Sequence, residues 1–521
     1  AGGYAFLVNG KSDGSALADA GTQVMGGLVG AMLHPRPERA LVIGLGTGST
    51  AGWLAEVPTM ERVDAVELEP AILRVAEACA PVNHGVLTHP KVEVLLGDGR
   101  EYLLTTDERY DVVFSEPSNP YRAGISSLYT LEFYRAARER LTQDGLFLQW
   151  LQGYEVDASV VRTAYATLAA VFPAVESWQT LTGDLLLVAS EEPLAHDLAR
   201  VRRRAAAEPY RSALGRAWGV DGADGFYAGF LAGPSFARAM AEAEGAEVNT
   251  DDRPVIEFGF VRNLGRSGLF SIEDLARLAR ERGEHRPAFR GPAPDGQRVD
   301  DARLARGAFF GAVPPAPPGD DALRERARLR RAFVDDDWRA VRPGWERQGE
   351  ALGEPRHRVD LLAWAEALAE GGDPRARPAA ERLREVAPPE ADVVLALLES
   401  RQDNDQTAAW YLTQAWERLR EDPWARPGLV RSSFRLGAAL ARKDAALAGA
   451  LYDALAEPFA VAFLDQERRM TRLWMSASVG KEGLCVEAFA DLEPWVTWDE
   501  GTLSARVTCY QEADHPLLSR A

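Results

Sequence analysis

Cysteine is scarce: the chain has three, Cys79, Cys485 and Cys509, far apart and with no Cys-x-x-Cys pair. That spacing argues against a disulfide framework and against a zinc site, and it points to a reducing compartment. An excess of basic charge is also missing. With 59 Lys and Arg against 78 Asp and Glu, the formal net charge is -19 and the isoelectric point about 5.0. Such a composition supplies no face to neutralise a phosphate backbone or an anionic membrane surface, so nucleic acid is not expected as a partner. Long apolar runs are absent too. Val24 to Leu33 is among the longest, and it covers roughly half of the ~20 residues that cross a bilayer. The chain opens on Ala1-Gly-Gly-Tyr-Ala-Phe-Leu-Val8 with no initiator Met and no signal-peptide pattern. It reads as starting inside a strand, so the natural protein is expected to extend further N-terminal.

What is present is length and alternation. A chain of 521 residues with 46% hydrophobic content implies two or three domains, because single cores stop growing well before this size. From Arg39 to Ser190 short apolar runs alternate with amphipathic segments, the signature of a doubly wound, mostly parallel α/β sheet. Strands are expected at Ala40–Ile43, Arg62–Glu67, Val92–Leu96, Asp111–Phe114, Gly145–Trp150 and Leu185–Ala189. Helices are expected near Thr50–Glu56, Ala71–Cys79, Leu128–Leu141 and Ala158–Val171.

Beyond about Arg266 the texture changes. Arg282-Gly-Glu-His-Arg-Pro287 and the proline-rich Gly311 to Gly319 read as exposed linkers. After Asp321 the pattern is helical, with Ala380, Ala415 and Ala450 spaced 35 residues apart and Pro388, Pro423 and Pro458 likewise. That period resembles helix-pair repeats of tetratricopeptide type. Nine of the thirteen tryptophans follow Val334; helix packing is their plain reading, and an aromatic groove the sharper one. The expected division is 1–35 for an N-terminal β segment and helix, 36–265 for the α/β domain, 266–320 for a linker and 321–521 for an all-α repeat-like domain.

Three consecutive strand ends carry chemistry. Ala40 to Ile43 runs into Gly44-Leu-Gly-Thr-Gly-Ser49, where Gly44, Gly46 and Gly48 let the backbone turn tightly and approach a ligand beside helix N-terminal amides. The next strand ends at Glu67, where an acid commonly accepts from a ribose diol. Asp98 follows the third strand, where a carboxylate can accept from an adenine amino group. Helix capping is the plainer alternative for both acids. The loop lacks the dinucleotide spacing, and no basic residue stands where a pyrophosphate would need one. An adenosine attached to a sulfonium therefore fits better, which points to S-adenosylmethionine or a derivative.

The order Gly44-Leu-Gly-Thr-Gly-Ser49, Val66-Glu-Leu-Glu-Pro70, Gly97-Asp-Gly-Arg-Glu-Tyr-Leu103, Tyr110 to Pro120 and Ser126 to Trp150 resembles the spermidine synthase (polyamine aminopropyltransferase) family over roughly residues 4–190. Leu7-Val-Asn-Gly-Lys11 is similar to the β segment preceding that family's catalytic domain. Asn249-Thr-Asp-Asp-Arg-Pro-Val-Ile-Glu-Phe258 is similar to a segment of a divergent bacterial branch fused to membrane segments. The resemblance implies a Rossmann-like fold of the class I S-adenosylmethionine-dependent transferase type. It also implies Glu67 on the ribose, Asp98 with Gly99 on the adenine, and Glu116 in the place of the catalytic aspartate. There a carboxylate can take the proton of an attacking amine. The alternative for Glu116 is that it caps its own turn, with Ser115, Ser118 and Asn119 satisfying a proline-rich loop.

Three departures are visible. Thr47 stands where the family has an aspartate; Glu116-Pro-Ser-Asn-Pro120 replaces Asp-Ser-Ser-Asp-Pro; and Thr22-Gln23 replaces a Tyr-His pair. Two amine-binding carboxylates are thus expected to be missing. The expected site is Glu116, Asn119 and Tyr121 for catalysis, with Gly44, Gly46, Thr47, Gly48, Glu67, Asp98, Gly99 and Gln23 holding decarboxylated or intact S-adenosylmethionine, and no metal. Gln149, Gln152 and Tyr154 are further pocket candidates. The expected activity is alkyl transfer to a small amine with release of methylthioadenosine. A methyltransferase on the same fold is one alternative, and a non-catalytic nucleoside-binding module whose helical repeats recruit a protein partner is another. The expected location is cytoplasmic, with an inner-membrane tether in the full-length protein if membrane segments precede this chain.

Overall fold

The apolar runs of the first half of the chain pair into one eight-stranded sheet. The structure, a computed structural model, describes residues 3–8, 10–120, 124–261, 270–352, 355, 357–479, 483–493 and 496–520. A small antiparallel hairpin, β1 (Ala5–Val8) and β2 (Lys11–Ser15), stands apart from the main sheet. The main sheet comprises β3 (Arg39–Ile43), β4 (Arg62–Glu67), β5 (Val92–Leu96), β6 (Tyr110–Ser115), β7 (Leu141–Gln152), β8 (Ala174–Leu181), β9 (Asp184–Ser190) and β10 (Phe230–Ala232). Their order is β10-β8-β9-β7-β6-β3-β4-β5. From β5 to β7 the strands run parallel, whereas β9 lies antiparallel between β7 and β8, and β10 is antiparallel at the edge.

The chain moves outward from β3 to β4 and β5, then returns to β6 on the other side of β3. That reversal opens a crevice at the carboxyl ends of β3 and β6, the general ligand position of open α/β sheets. The helices that matter for it are α1 (Ala20–Leu33), α2 (Ser49–Ala55), α3 (Ile72–Ala78), α4 (Ala80–Asn83), α5 (Gly99–Thr105), α6 (Leu131–Glu139) and α7 (Ala158–Ala169). Every residue of α1 is buried. Its glycines let it lie against the sheet: a Cβ on Gly26 would sit 2.6 Å from Phe114 Cζ.

Asn249, fully buried, explains the segment around it. Its Nδ2 donates to Tyr129 O at 3.0 Å, its carbonyl accepts from Leu131 N at 2.8 Å, and its Oδ1 accepts from Ile256 N at 3.3 Å. Asp251 forms a two-pronged pair with Arg100 of α5. The segment therefore ties α6 and α5 to the rest of the sheet's upper edge.

The chain divides into two compact units, Ala5–Asp336 and Asp337–Ala521 with Ala1–Tyr4. The boundary thus lies later than the linker expected at 266–320. That stretch holds the helices Ile272–Glu281 and Gly296–Phe309, both of which belong to the first unit. Buried Asp301 accepts from Arg326 Nη1 at 2.6 Å and Arg330 Nη1 at 2.7 Å, joining Gly296–Phe309 to the helix Asp321–Val334. Turn-rich flanks concealed these helices in the sequence.

Among the described residues the second unit is wholly helical. The 35-residue spacing does not mark equivalent positions: Ala380 and Ala415 are buried and Ala450 is exposed, while Pro388 opens a helix and Pro423 and Pro458 lie between helices. Trp416 packs inside, whereas Trp410 and Trp474 are exposed. Cys485 and Cys509 form a disulfide with Cα atoms 6.1 Å apart. The expectation of no disulfide is overturned, because the helices Leu484–Leu492 and Glu500–Glu512 fold back on one another and bring the two thiols together. The cysteine argument for a reducing compartment falls with it. Among the described residues no helix is long and apolar enough to cross a membrane.

Candidate active site at the carboxyl ends of β3 to β6

Gly44, Gly46 and Gly48 all have positive φ, at 98°, 52° and 79°. Gly44 lies against backbone, since a Cβ there would lie 2.6 Å from the carbonyl oxygen of Glu116. Glycine alone lets the ends of β3 and β6 come this close. The loop is braced from behind by Asn83 Nδ2, which donates to Thr47 O at 2.8 Å and Ala76 O at 2.7 Å.

Glu67 sits at the end of β4 with its carboxylate turned under the glycine loop. Oε2 accepts from Leu45 N at 2.9 Å and Oε1 from Glu69 N at 2.8 Å. Asp98 caps α5, its Oδ1 accepting from Arg100 N at 2.7 Å and Glu101 N at 3.2 Å. The residue is exposed. Thr47 and Gln23 are both buried and bond each other, Thr47 Oγ1 donating to Gln23 Oε1 at 2.6 Å.

Glu116 follows β6 and is half-buried. Among the described residues its carboxylate meets α2: Thr50 Oγ1 lies 2.7 Å from Glu116 Oε2 and equally 2.7 Å from Gln23 O. A threonine hydroxyl carries one hydrogen, and the Gln23 carbonyl can only accept. When Thr50 donates to Gln23, Glu116 satisfies the contact by donating as the neutral acid; when Glu116 is ionised, Thr50 turns to it. Burial, above all, pushes the Glu116 carboxyl up to about 8, with Asp184 and Asp19 adding to the rise and the Thr50 contact opposing it.

Those two aspartates are what the sequence reading missed. Asp184, at the start of β9, is buried and accepts from Thr22 Oγ1 of α1, which also meets Thr180 Oγ1 at 2.9 Å. Burial raises its carboxyl to about 6, and Asp19 adds to the rise. Asp19, the residue before α1, is raised by burial and by Asp13. Among the described residues no cationic side chain offsets Glu116, Asp184 or Asp19. The carboxyl groups that act on Glu116 thus come from the residue before α1 and from the start of β9. An acid directly before the apolar run Leu185–Ala189 was the available signal.

The remaining candidates divide. Asn119, buried, donates to Gln152 Oε1, and Gln152 Nε2 donates to Tyr154 O at 2.8 Å. Gln149 is buried and donates to Trp150 O at 3.0 Å. Ser118 donates to Asp13 Oδ1 at 2.8 Å, joining the loop to the β1–β2 hairpin. Gly99 lies against Ile43, where a Cβ would come within 2.5 Å of Cγ2. Tyr121 lies outside the described residues.

A mixed sheet with five parallel strands, a reversed strand beside the last of them and acids at successive carboxyl ends defines a Rossmann-like fold of the methyltransferase type. Within it, residues 22–186 match the spermine/spermidine synthase domain. The chain is 28% identical over 145 residues to the polyamine aminopropyltransferase of Desulforudis audaxviator, covering 28% of this chain and 52% of that protein. It is 34% identical over 149 residues to the polyamine aminopropyltransferase of Nitrosomonas europaea, covering 28% and 46%. The chain thus spans about half the length of the curated relatives it matches. Among solved structures, the spermidine synthase of Thermotoga maritima aligns with a TM-score of 0.35 and 22% identity, over 38% of this chain and 70% of that one. Human methyltransferase-like protein 13 in complex with SAH aligns with a TM-score of 0.29 and 23% identity, over 34% and 84%.

Proposed function

We propose that the first unit transfers an alkyl group, aminopropyl in type, from decarboxylated S-adenosylmethionine to a primary amine and releases methylthioadenosine. The observation that carries this reading is the set Glu116, Asp184 and Asp19, three carboxyl groups with raised proton affinity and no described cation beside them. They flank a glycine loop and two further strand-end acids. Such a cluster favours a cationic ligand, because an ammonium or sulfonium lowers the cost of ionising each acid.

In this reading Glu67 and Asp98 hold the ribose and adenine, Glu67 through the lone pairs not used by Leu45 and Glu69. Asp184 and Asp19 attract the acceptor. Glu116 takes the proton of the attacking nitrogen as the new C–N bond forms and the C–S bond breaks, its electron pair leaving on sulfur. Thr50 follows that proton: it donates to Glu116 as carboxylate and turns to Gln23 O once Glu116 is protonated. Asn119, Gln152 and Tyr154 shape the wall beside the acceptor.

One observation favours a second reading for the donor. The buried Thr47–Gln23 pair is neutral, so nothing at Thr47 repels the carboxylate of intact S-adenosylmethionine. Calorimetric titration with methylthioadenosine tests the nucleoside half of the reading. Asp98→Ala is expected to weaken binding by ~1–3 kcal/mol, the range for a lost directional hydrogen bond. Unchanged affinity would move the adenine site elsewhere.

A further inference from the structure

Outside that site, the first unit contains a cavity of about 80 Å³ between Tyr227, His285, Pro287, Phe289, Val299 and Arg303. None of its residues belongs to the crevice at the ends of β3 to β6. Two of its polar atoms, Tyr227 Oη and His285 Nδ1, are buried without a hydrogen-bond partner. An unsatisfied buried polar atom is costly, and it marks a place where a ligand or water completes the bonding.

The surrounding charge is positive. Arg280, Arg286 and Arg303 act together on His285, with Asp300 as the opposing charge. Asp300 is already shared: it takes Arg303 Nη1 at 2.7 Å and Arg286 Nη2 at 3.4 Å. Arg303 also donates to Phe230 O at 3.2 Å. One helical turn further and outside the lining, Arg306 is buried, stacked 4.3 Å from the Trp218 ring centre, its Nη2 donating to Gln179 O and its Nε unpartnered among the described residues. Of the two arginines that line the cavity, partly buried Arg303 and exposed Arg286 share the one carboxylate of Asp300, and an anion in the cavity would complete the neutralisation of the pair.

The walls decide the kind of anion. Pro287, Phe289, Val299 and the Tyr227 ring are apolar, which suits a carboxylate with a short apolar tail better than a phosphate. A volume of about 80 Å³ holds on the order of three waters, or one molecule of propionate size. We propose that this cavity is a binding site for a short-chain carboxylate, its head on Arg303 and its tail against Phe289 and Val299.

Calorimetric titration of the full chain with sodium propionate tests this, with propionamide as the uncharged counterpart and inorganic phosphate as the tailless anion. Saturable binding of propionate in the millimolar range is expected, with propionamide and phosphate each at least ~10-fold weaker. Arg303→Gln should weaken propionate at least ~10-fold. Val299→Phe should abolish binding by filling the cavity while every arginine remains, and Arg286→Gln, at a more exposed position, should weaken it with little risk to folding. Methylthioadenosine affinity should be unchanged in all three variants. No saturable propionate binding in the wild-type chain, or binding that survives Val299→Phe in a folded protein, overturns the proposal and leaves the arginines held by aromatic rings and carbonyls alone.

Discussion

Replacing Glu116 with Gln separates two effects of a single carboxyl group. In the folded protein this group holds its proton up to about pH 8, against the usual 4.5. By pH 7 the unfolded chain has therefore gained ~3 kcal/mol by ionising it while the folded chain has not. Solvent reaches part of the side chain, so roughly half of that is a safer figure. The sign follows from the raised folded value: the stability contribution is complete below 4.5, falls as the pH rises, and is exhausted above about 8. Glu116→Gln keeps a carbonyl oxygen for Thr50 and removes the titration. It is expected to be more stable than the wild type by ~1.5–3 kcal/mol at pH 7, with the gain vanishing at pH 4 to 5. Turnover should fall by ~100-fold or more, the usual loss when a general base is removed. Denaturant unfolding at pH 5 and 8, paired with initial rates, reads both effects. Wild-type turnover in the mutant, or a stability difference that ignores pH, would refute the reasoning.

Two further outcomes follow from the same geometry. Asp184→Asn should raise the half-saturating amine concentration at least ~10-fold by removing one unpaired charge, and leave methylthioadenosine affinity unchanged in calorimetry. Cys485→Ser should destabilise the second unit by ~2–4 kcal/mol, since the bond closes a loop 24 residues apart; unfolding curves with and without reductant measure it.

Much of the crevice was legible because β3, β4 and β6, buried along nearly their whole length, read as apolar runs. β4 and β5 fall where expected, and the Gly44 loop, Glu67, Asp98 and Glu116 stand at the ends of β3, β4, β5 and β6 in turn. The surroundings of Asp184 were not legible, because they depend on Thr22 of α1 and on Asp19 just before that helix, which meet it only through the fold. β8 was missed for a related reason: Glu176, Ser177, Gln179 and Thr180 interrupt its apolar pattern, and Glu176 is paid for by His196 at 2.9 Å, a partner distant in sequence. The Cys485–Cys509 bond and the helix Gly296–Phe309 were hidden likewise, the one by a sequence gap without a motif, the other by proline- and glycine-rich flanks that outweighed a buried Leu304-Ala305 face.

In the proposed reaction an alkyl group passes from a sulfonium to an amine. The direct measurement uses decarboxylated S-adenosylmethionine labelled in its aminopropyl carbons, a panel of mono- and diamines, and mass spectrometry of every product. The expected result is label in the amine and methylthioadenosine released in equal amount, both lost together in Glu116→Gln. Label that never leaves the donor with any amine, or S-adenosylhomocysteine formed from the intact cofactor in its place, would contradict the account.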